Sequence, residues 1–250
     1  VFGETQATFT DAYFEAMSGL TTTGSTAFNN LNELPSGLLL WRSMLQWFGG
    51  IGIIVVAMAF LPELRVGGMQ IFRSESFDTD GKVLPRAAEI ASRISIVYLV
   101  LTVSCGLAYL AFGMSFFDAL NHAMTTIATG GFSTHDESFA FFQGPPEFVA
   151  ALFMILASLP FVRYVQLLAG SSVPLFQDSQ VRAFLISVLI LVLTMTFFRI
   201  VAQGADLREA LREATFNITS IITGTGYAST DYQQWGSFPM AVFFFIGLIG

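Results

Sequence analysis

Four long apolar stretches, at residues 38–61, 94–112, 148–169 and 183–202, constrain this chain more than any other feature. Each has about the 20 residues that a helix needs to cross a bilayer, and a fifth stretch begins near Phe238. Charged residues make up 12% of the 250, about half the share found in soluble domains, whereas hydrophobic residues make up 54%. We therefore predict an all-α polytopic membrane protein that has the lipid bilayer as a partner.

The charges are distributed unevenly between these stretches. Five of the eleven basic residues fall in the link between the first two stretches: Arg65, Arg73, Lys82, Arg86 and Arg93. By the positive-inside bias this link is cytoplasmic, so segments 1–37, 114–147 and 203–237 face outside. Twelve of the eighteen acids lie in these outer segments, where they either keep loops soluble or raise the local concentration of cations. The net charge of −7 argues against a nucleic-acid partner.

The three outer segments contain copies of one pattern. "TDAYFEAMSGLTTTGST", "FDALNHAMTTIATGGFS" and "REATFNITSIITGTGYA" align without gaps on an acid followed by alanine. A glycine stands thirteen residues after each acid, which gives the pairs Asp11 and Gly24, Asp118 and Gly131, and Glu213 and Gly226. The residues between form about three helical turns, with the acid near the N-terminus, where the helix dipole favours it. We predict a short helix followed by a Thr/Gly strand in each copy.

Each predicted short helix cannot cross the bilayer, so the chain turns back as a re-entrant loop. Non-helical backbone at membrane depth is tolerated only where it is buried in protein or lines a water-filled path. The carbonyl and hydroxyl oxygens of a Thr/Gly strand can replace the hydration shell of a cation. We call the predicted cation-binding residues the first, second and third filter segments: Thr22, Thr23 and Gly24; Thr129, Gly130 and Gly131; Gly224, Thr225 and Gly226. The predicted flanking residues are Thr21, Ser25, Phe132, Thr223 and Tyr227.

Two polar residues near the start of the first stretch are predicted to lie at the membrane interface. Arg42 and Gln46 are one helical turn apart, and Trp41 and Trp47 flank them as an aromatic anchor.

The cysteine and the two histidines indicate no catalytic or metal site. Cys105 lies in an apolar stretch, and the histidines are too few and too far apart for metal binding. We expect His122 to make a polar contact in the second short helix and His135 to lie in the outer vestibule. Pro160 is expected to kink its helix, and Arg163 to face the bundle interior or to snorkel inward.

The sequence resembles the TrkH-type membrane subunit of the Trk/Ktr/HKT potassium-transporter superfamily. The resemblance extends over the whole chain and rests on "EAMSGLTTTGST", "WRSMLQWFGGIGIIVVAMAFLPELRVGGMQIFRSE", "ATGGFSTHD" and "TGTGYAST". It implies four tandem helix–re-entrant pore loop–helix units around a pseudo-fourfold ion pore in the bacterial inner membrane. It also implies K⁺ as the transported ion at the filter segments, which face the periplasm, and no covalently bound cofactor.

Further expectations follow from this resemblance. The first pore unit spans 1–69, the second 94–170 and the third 183–250, with cytoplasmic links at 70–93 and 171–182. We expect a fragment that lacks the N-terminal spans and the fourth pore unit, so that it does not conduct alone. A gating intramembrane loop is expected to start at Gly247 and Gly250. A homodimer and a cytosolic nucleotide-binding regulatory subunit are the expected protein partners.

The function that these expectations favour is potassium uptake, without enzymatic activity. Sodium or mixed-cation transport is the alternative within the same class, although Gly24 favours K⁺ because the resemblance associates a serine there with sodium permeability. A non-conducting membrane scaffold is a further alternative, but a scaffold does not need three matched filter segments. An intramembrane enzyme would need a catalytic dyad or metal triad, which the few histidines and the single cysteine do not provide.

Overall fold

The computed structural model describes residues 7–64, 83–168, 170 and 177–249, with the side chains of 53–64 and 83–90 excepted. This part of the chain contains α-helices, short 3₁₀ turns and no β-strand. The helices are α1 Phe9–Leu20, α2 Ser36–Leu64, α3 Val83–Ala111, α4 Phe116–Ile127, α5 Pro145–Ser158, α6 Phe161–Leu168, α7 Ser179–Gln203, α8 Leu207–Ile222 and α9 Ser237–Ile249. Most of the two predicted cytoplasmic links lies outside the described residues.

The long helices have the length and surface of membrane spans. Within the described residues, Ala91–Ala111 and Ser179–Gln203 are each long and apolar enough to cross a bilayer. Large apolar side chains on the outer faces of α3 and α7 are more than half exposed, among them Ile96, Val103, Leu107, Leu189 and Phe197. Such a continuous apolar surface is unfavourable in water and is suited to contact with lipid.

The apolar stretch at 148–169 is not the continuous span that its length predicts. It is divided into α5 and α6, which meet at an angle of 86°. Pro160 lies at the break, where it has no backbone N–H to continue the helix. The expected kink is therefore confirmed, but it is sharp enough to turn α6 away from the direction of α5.

The three short helices α1, α4 and α8 are the ones that precede the filter segments. Thr8 caps α1 in a reciprocal capping box with Asp11, and Ser115 caps α4 by accepting a hydrogen bond from the amide of Asp118. The prediction that the third acid also starts its helix is wrong. Asp206 caps α8 instead, so the helix begins at Leu207 and Glu213 lies nearly two turns inside it.

Each short helix packs between longer ones. α1 packs on α2, α4 packs on α2, α3 and α5, and α8 packs on α5, α7 and α9. Aromatic residues from several elements, including Tyr109, Phe139, Phe216 and Tyr227, form one buried cluster between α3, α4, α5 and α8. The short helices are thereby held at fixed positions, and the loops that follow them are brought together.

Candidate ion filter

The three filter segments adopt the same backbone conformation. In each, the first and third residues have positive φ, and the residue between them does not. The values are 55° and 80° for Thr22 and Gly24, 50° and 75° for Thr129 and Gly131, and 70° and 82° for Gly224 and Gly226. Glycine tolerates this conformation, and the alternation allows successive carbonyl groups to point to one side.

Positive φ is unusual for threonine, so Thr22 and Thr129 must be held by their surroundings. The backbone hydrogen bonds that leave each short helix do this in the same way in all three copies. The amide of the first filter residue donates a 3.0 Å hydrogen bond to a helix carbonyl oxygen, in the pairs Thr22 to Gly19, Thr129 to Thr126 and Gly224 to Ile221. The amide of the second filter residue donates a 2.9 Å hydrogen bond to another helix carbonyl oxygen, in the pairs Thr23 to Ser18, Gly130 to Thr125 and Thr225 to Ser220.

The segments lie side by side in chain order. A Cβ atom added at Gly24 would overlap the carbonyl oxygen of Gly130, and one added at Gly131 would overlap that of Thr225. Glycine is therefore required at these two positions both by φ and by the approach of the neighbouring backbone. A Cβ atom at Gly226 would meet no described atom within 4 Å. Among the described residues, the third segment thus has an open side.

A polar side chain inside each short helix holds the chain where it leaves the filter. This residue is four positions after the aligned acid and bonds a hydroxyl group beyond the filter glycine. The three pairs are Glu15 with Thr26 at 2.9 Å, His122 with Ser133 at 3.0 Å, and Asn217 with Ser229 at 3.0 Å. The helix members differ in chemistry but occupy equivalent positions, whereas the hydroxyl follows the filter glycine by two residues in the first two copies and by three in the third. We call them the exit pairs. Apart from the polar contact expected of His122, sequence reasoning missed them, although a polar residue at this spacing in every copy was a usable signal.

Arg42 and Gln46 do not lie at the membrane interface, so that prediction is wrong. Their exposed fractions are 1% and 0%, because α2 passes behind the filter and packs on α4. The Arg42 Nε atom donates to Glu15 over 2.6 Å, and Nη1 donates to the carbonyl oxygen of Ser133 over 2.9 Å. The Gln46 amide contacts the second filter segment directly.

The predicted flanking residues hold the loops in place. Ser25 accepts a hydrogen bond from Ser18 at its carbonyl oxygen, at 2.6 Å, and the guanidinium of Arg42 lies 4.2 Å from the ring centre of Phe132. The Tyr227 hydroxyl contacts α4, where it lies 2.5 Å from the hydroxyl of Thr125. Hydroxyl pairs 2.8 Å apart join Thr21 to Thr23 and Thr223 to Thr225.

Several acids of the outer segments are not surface charges. Glu15, Glu147 and Glu213 are buried, and each forms an ion pair with an arginine: Glu15 with Arg42, Glu147 with Arg212, and Glu213 with Arg199. These three acids are therefore neutralised by buried partners and are not free surface charges. His135, by contrast, is half-buried, stacks on Phe141 and contacts Asn32, and its place in an outer vestibule stays a prediction.

The remaining predicted site residues are those of the expected gating loop. Gly247 is within α9, two residues before its end, and Gly250 lies outside the described residues. Within the described part of the chain, no group of three histidine, cysteine or acidic residues is placed to hold a metal ion. The filter segments themselves consist of threonine and glycine, which offer backbone carbonyl and threonine hydroxyl oxygens.

Comparison with known proteins gives matches over the whole chain. A family model described as TrkH, a cation transport protein, matches residues 1–250. The Trk system potassium uptake protein TrkI of Halomonas elongata is 44% identical over 252 residues, which cover 100% of this chain and 51% of that protein. The Trk system potassium uptake protein TrkH of Escherichia coli K12 is 39% identical over 246 residues, which cover 95% and 50%. The chain spans about half the length of the curated relatives it matches.

A solved structure matches the fold. The crystal structure of the potassium transporter TrkH from Vibrio parahaemolyticus has a TM-score of 0.86 and 35% sequence identity, and the match covers 96% of this chain and 49% of that one. The predicted all-α membrane fold with re-entrant loops is confirmed by this match.

Proposed function

Because this chain belongs to the TrkH family of cation transport proteins, we propose that it forms the K⁺-selective filter of a potassium uptake protein in the bacterial inner membrane. The observation that carries the proposal is the shared conformation of the three filter segments, with positive φ at the same two positions in each. The relatives named above are potassium uptake proteins, not enzymes.

The proposed mechanism is exchange of water for protein oxygen. A potassium ion sheds its hydration shell as it enters and takes oxygens from Thr22–Gly24, Thr129–Gly131 and Gly224–Gly226 in its place. Rigid support matters because selectivity depends on the number and direction of these oxygens. The shared hydrogen bonds at the start of each segment and the exit pairs at its end provide that support.

The proposal includes the arrangement of the whole protein. Pore units at 1–69, 94–170 and 183–250, joined by cytoplasmic links at 70–93 and 171–182, contribute three sides of the filter, and a fourth unit contributes the last. The filter segments face the periplasm, and Gly247 and Gly250 begin the gating loop. A second copy and a cytosolic nucleotide-binding subunit are the proposed protein partners, in keeping with the Trk system named in the relatives.

Flux measurements on the full-length protein in proteoliposomes test this function. We expect K⁺ flux well above Na⁺ flux for the unaltered protein. In Gly131→Ser, the added side chain would overlap the carbonyl oxygen of Thr225, so we expect the ratio of K⁺ to Na⁺ flux to fall about tenfold, which corresponds to ~1.4 kcal/mol of lost discrimination.

A matched control is available at Gly113, which also has positive φ, at 98°, but where an added Cβ would meet no described heavy atom within 4 Å. Gly113→Ser should keep the flux ratio of the unaltered protein. Equal K⁺ and Na⁺ fluxes in the unaltered protein would favour mixed-cation transport, and no flux of either ion would favour a scaffold. Either result would refute the proposal.

A further inference from the structure

Gln46 is the one described side chain from a long helix that pairs with the backbone inside a filter segment. Its Nε2 atom donates to the carbonyl oxygen of Gly130 over 2.6 Å, and its Oε1 atom accepts from the amide of Phe132 over 3.0 Å. Because Gln46 is fully buried, neither bond competes with water. The amide thus fixes the peptide groups on both sides of Gly131.

The second segment lacks a support that the other two have. In the first and third segments, paired threonine hydroxyls, Thr21 with Thr23 and Thr223 with Thr225, lie 2.8 Å apart. The equivalent positions in the second segment are Ala128 and Gly130, which have no hydroxyl. The Gln46 amide lies where a side chain at Gly130 would be, since an added Cβ would be 2.6 Å from Oε1 and 2.7 Å from Nε2.

The position of the Gly130 carbonyl affects the neighbouring segment as well. This oxygen lies against Gly24, where an added Cβ would overlap it. A change in its direction would therefore alter both the oxygens of the second segment and the spacing between the first two segments. Polar groups buried beside the filter must stay paired, because an unpaired buried group has lost its hydrogen bonds to water without gaining others.

We propose that Gln46 is a positioning residue for ion selectivity, which replaces the missing hydroxyl pair of the second segment and sets the direction of the Gly130 carbonyl. The inference rests on the proposed potassium filter. It goes further by assigning the discrimination between K⁺ and Na⁺ partly to a side chain that does not contact the ion. A merely structural role would change the amount of folded protein and leave the flux ratio as it is.

The test uses the full-length protein in proteoliposomes with two variants. Gln46→Leu removes both hydrogen bonds at similar volume, and we expect the ratio of K⁺ to Na⁺ flux to fall roughly tenfold, the effect of one lost hydrogen bond of ordinary strength. Gln46→Glu keeps the acceptor for Phe132 but loses the donor to Gly130 while the introduced carboxyl is ionised. Its flux ratio should fall at neutral pH and recover as the pH is lowered, because the protonated carboxyl donates again.

Gln203→Leu is the matched control, since Gln203 also donates to a backbone carbonyl, that of Trp235 at 2.6 Å, but lies on α7 away from the filter. Its flux ratio should equal that of the unaltered protein at every pH. Folded protein is quantified by size-exclusion chromatography in each case. A Gln46 variant that loses K⁺ and Na⁺ flux in equal proportion, or that keeps the ratio, would overturn the inference. Absence of K⁺ flux in the unaltered protein would instead refute the proposed function.

Discussion

The buried charges of Glu15 and Arg42 depend on each other. Both side chains are almost completely inaccessible to solvent, at 0% and 1%, and they are joined by a 2.6 Å hydrogen bond. Removal of one member of a buried pair leaves the other charge without compensation. The pair also connects α1 and α2 to the exit of the filter, because Glu15 bonds Thr26 and the amide of Ala27.

We expect Arg42→Leu to lower the free energy of unfolding by about 3–5 kcal/mol, since it leaves the Glu15 carboxylate buried and unpaired. The double variant with Glu15→Gln should recover part of this loss because no buried charge remains. Thermal unfolding of the purified protein in detergent measures both effects. If the stability losses of the single variants Arg42→Leu and Glu15→Gln simply add in the double variant, the two charges do not depend on each other.

At the residue scale, the special backbone positions in the filter segments could be predicted, whereas most of the contacts around them could not. Gly24 and Gly131 are constrained by local backbone conformation, which repeats in the sequence at a fixed distance from an acid. The role of Gln46 depends on atoms of Gly130 and Phe132, more than 80 residues away. From sequence, a glutamine between two tryptophans near the start of an apolar stretch indicates the membrane interface, and only tertiary packing overrides that interpretation.

At the scale of elements, Asp178 joins the bent helix α6 to the start of α7. One carboxylate oxygen accepts from the amide of Gln180 at 2.8 Å, and the other accepts from Nε of Arg163 at 2.9 Å. Desolvation alone would raise the pKa of Asp178, but the amides of Val181 and Gln180 and the charge of Arg163 outweigh it and lower that pKa. Arg163 thus forms a specific ion pair with Asp178 at the start of α7.

Because the folded state lowers the pKa of Asp178, its carboxylate stabilises the protein at neutral pH, and this contribution disappears as the pH falls through the lowered pKa. We expect Asp178→Ala to cost about 1 kcal/mol through loss of the helix cap. Asp178→Asn retains a capping oxygen and should cost less. The difference in stability between the unaltered protein and Asp178→Asn is measured by thermal unfolding at a series of pH values from 7 downward. It should vanish in acid. A difference that is independent of pH would contradict the ion pair.

Helix lengths were harder to predict than helix positions. α7 contains the apolar stretch predicted at 183–202, and α3 contains all but the last residue of the one at 94–112, because long apolar stretches favour helices that cross a bilayer. α8 begins earlier than the repeat predicts, since its cap, Asp206, is seven residues before the aligned acid, whereas the caps of the other copies are three residues before theirs. The kink at Pro160 was predictable from the missing N–H group, whereas its angle of 86° depends on packing against α3.

At the scale of the whole molecule, the three filter segments lie next to one another in chain order, with one open side among the described residues. The first approaches the second and the second approaches the third, while the corresponding side of Gly226 faces no described atom. Under the proposed four-unit arrangement, a fourth segment would lie against Gly226 as Gly130 lies against Gly24.

This arrangement predicts that Gly226→Ala in the full-length protein will reduce K⁺ flux as severely as Gly24→Ala. Gly204→Ala is the control for backbone strain alone, because Gly204 has a similar φ of 67° and an added Cβ there would also meet no described atom within 4 Å. Strain of this kind costs roughly 1–2 kcal/mol, so the control should remain active if less stable. Flux from Gly226→Ala equal to that of the Gly204→Ala control would mean that no backbone lies beside Gly226.

The exit pairs have a consequence for how such a pore can evolve. Glu15, His122 and Asn217 do equivalent work with an anion, an imidazole and an amide. In a pore assembled from identical subunits, one codon change alters every side at once, and the sides cannot diverge. Here each side is encoded by its own part of the gene, so a mutation changes one side only and leaves the residues of the other sides as they were. Selection can therefore adjust one wall of the pathway at a time.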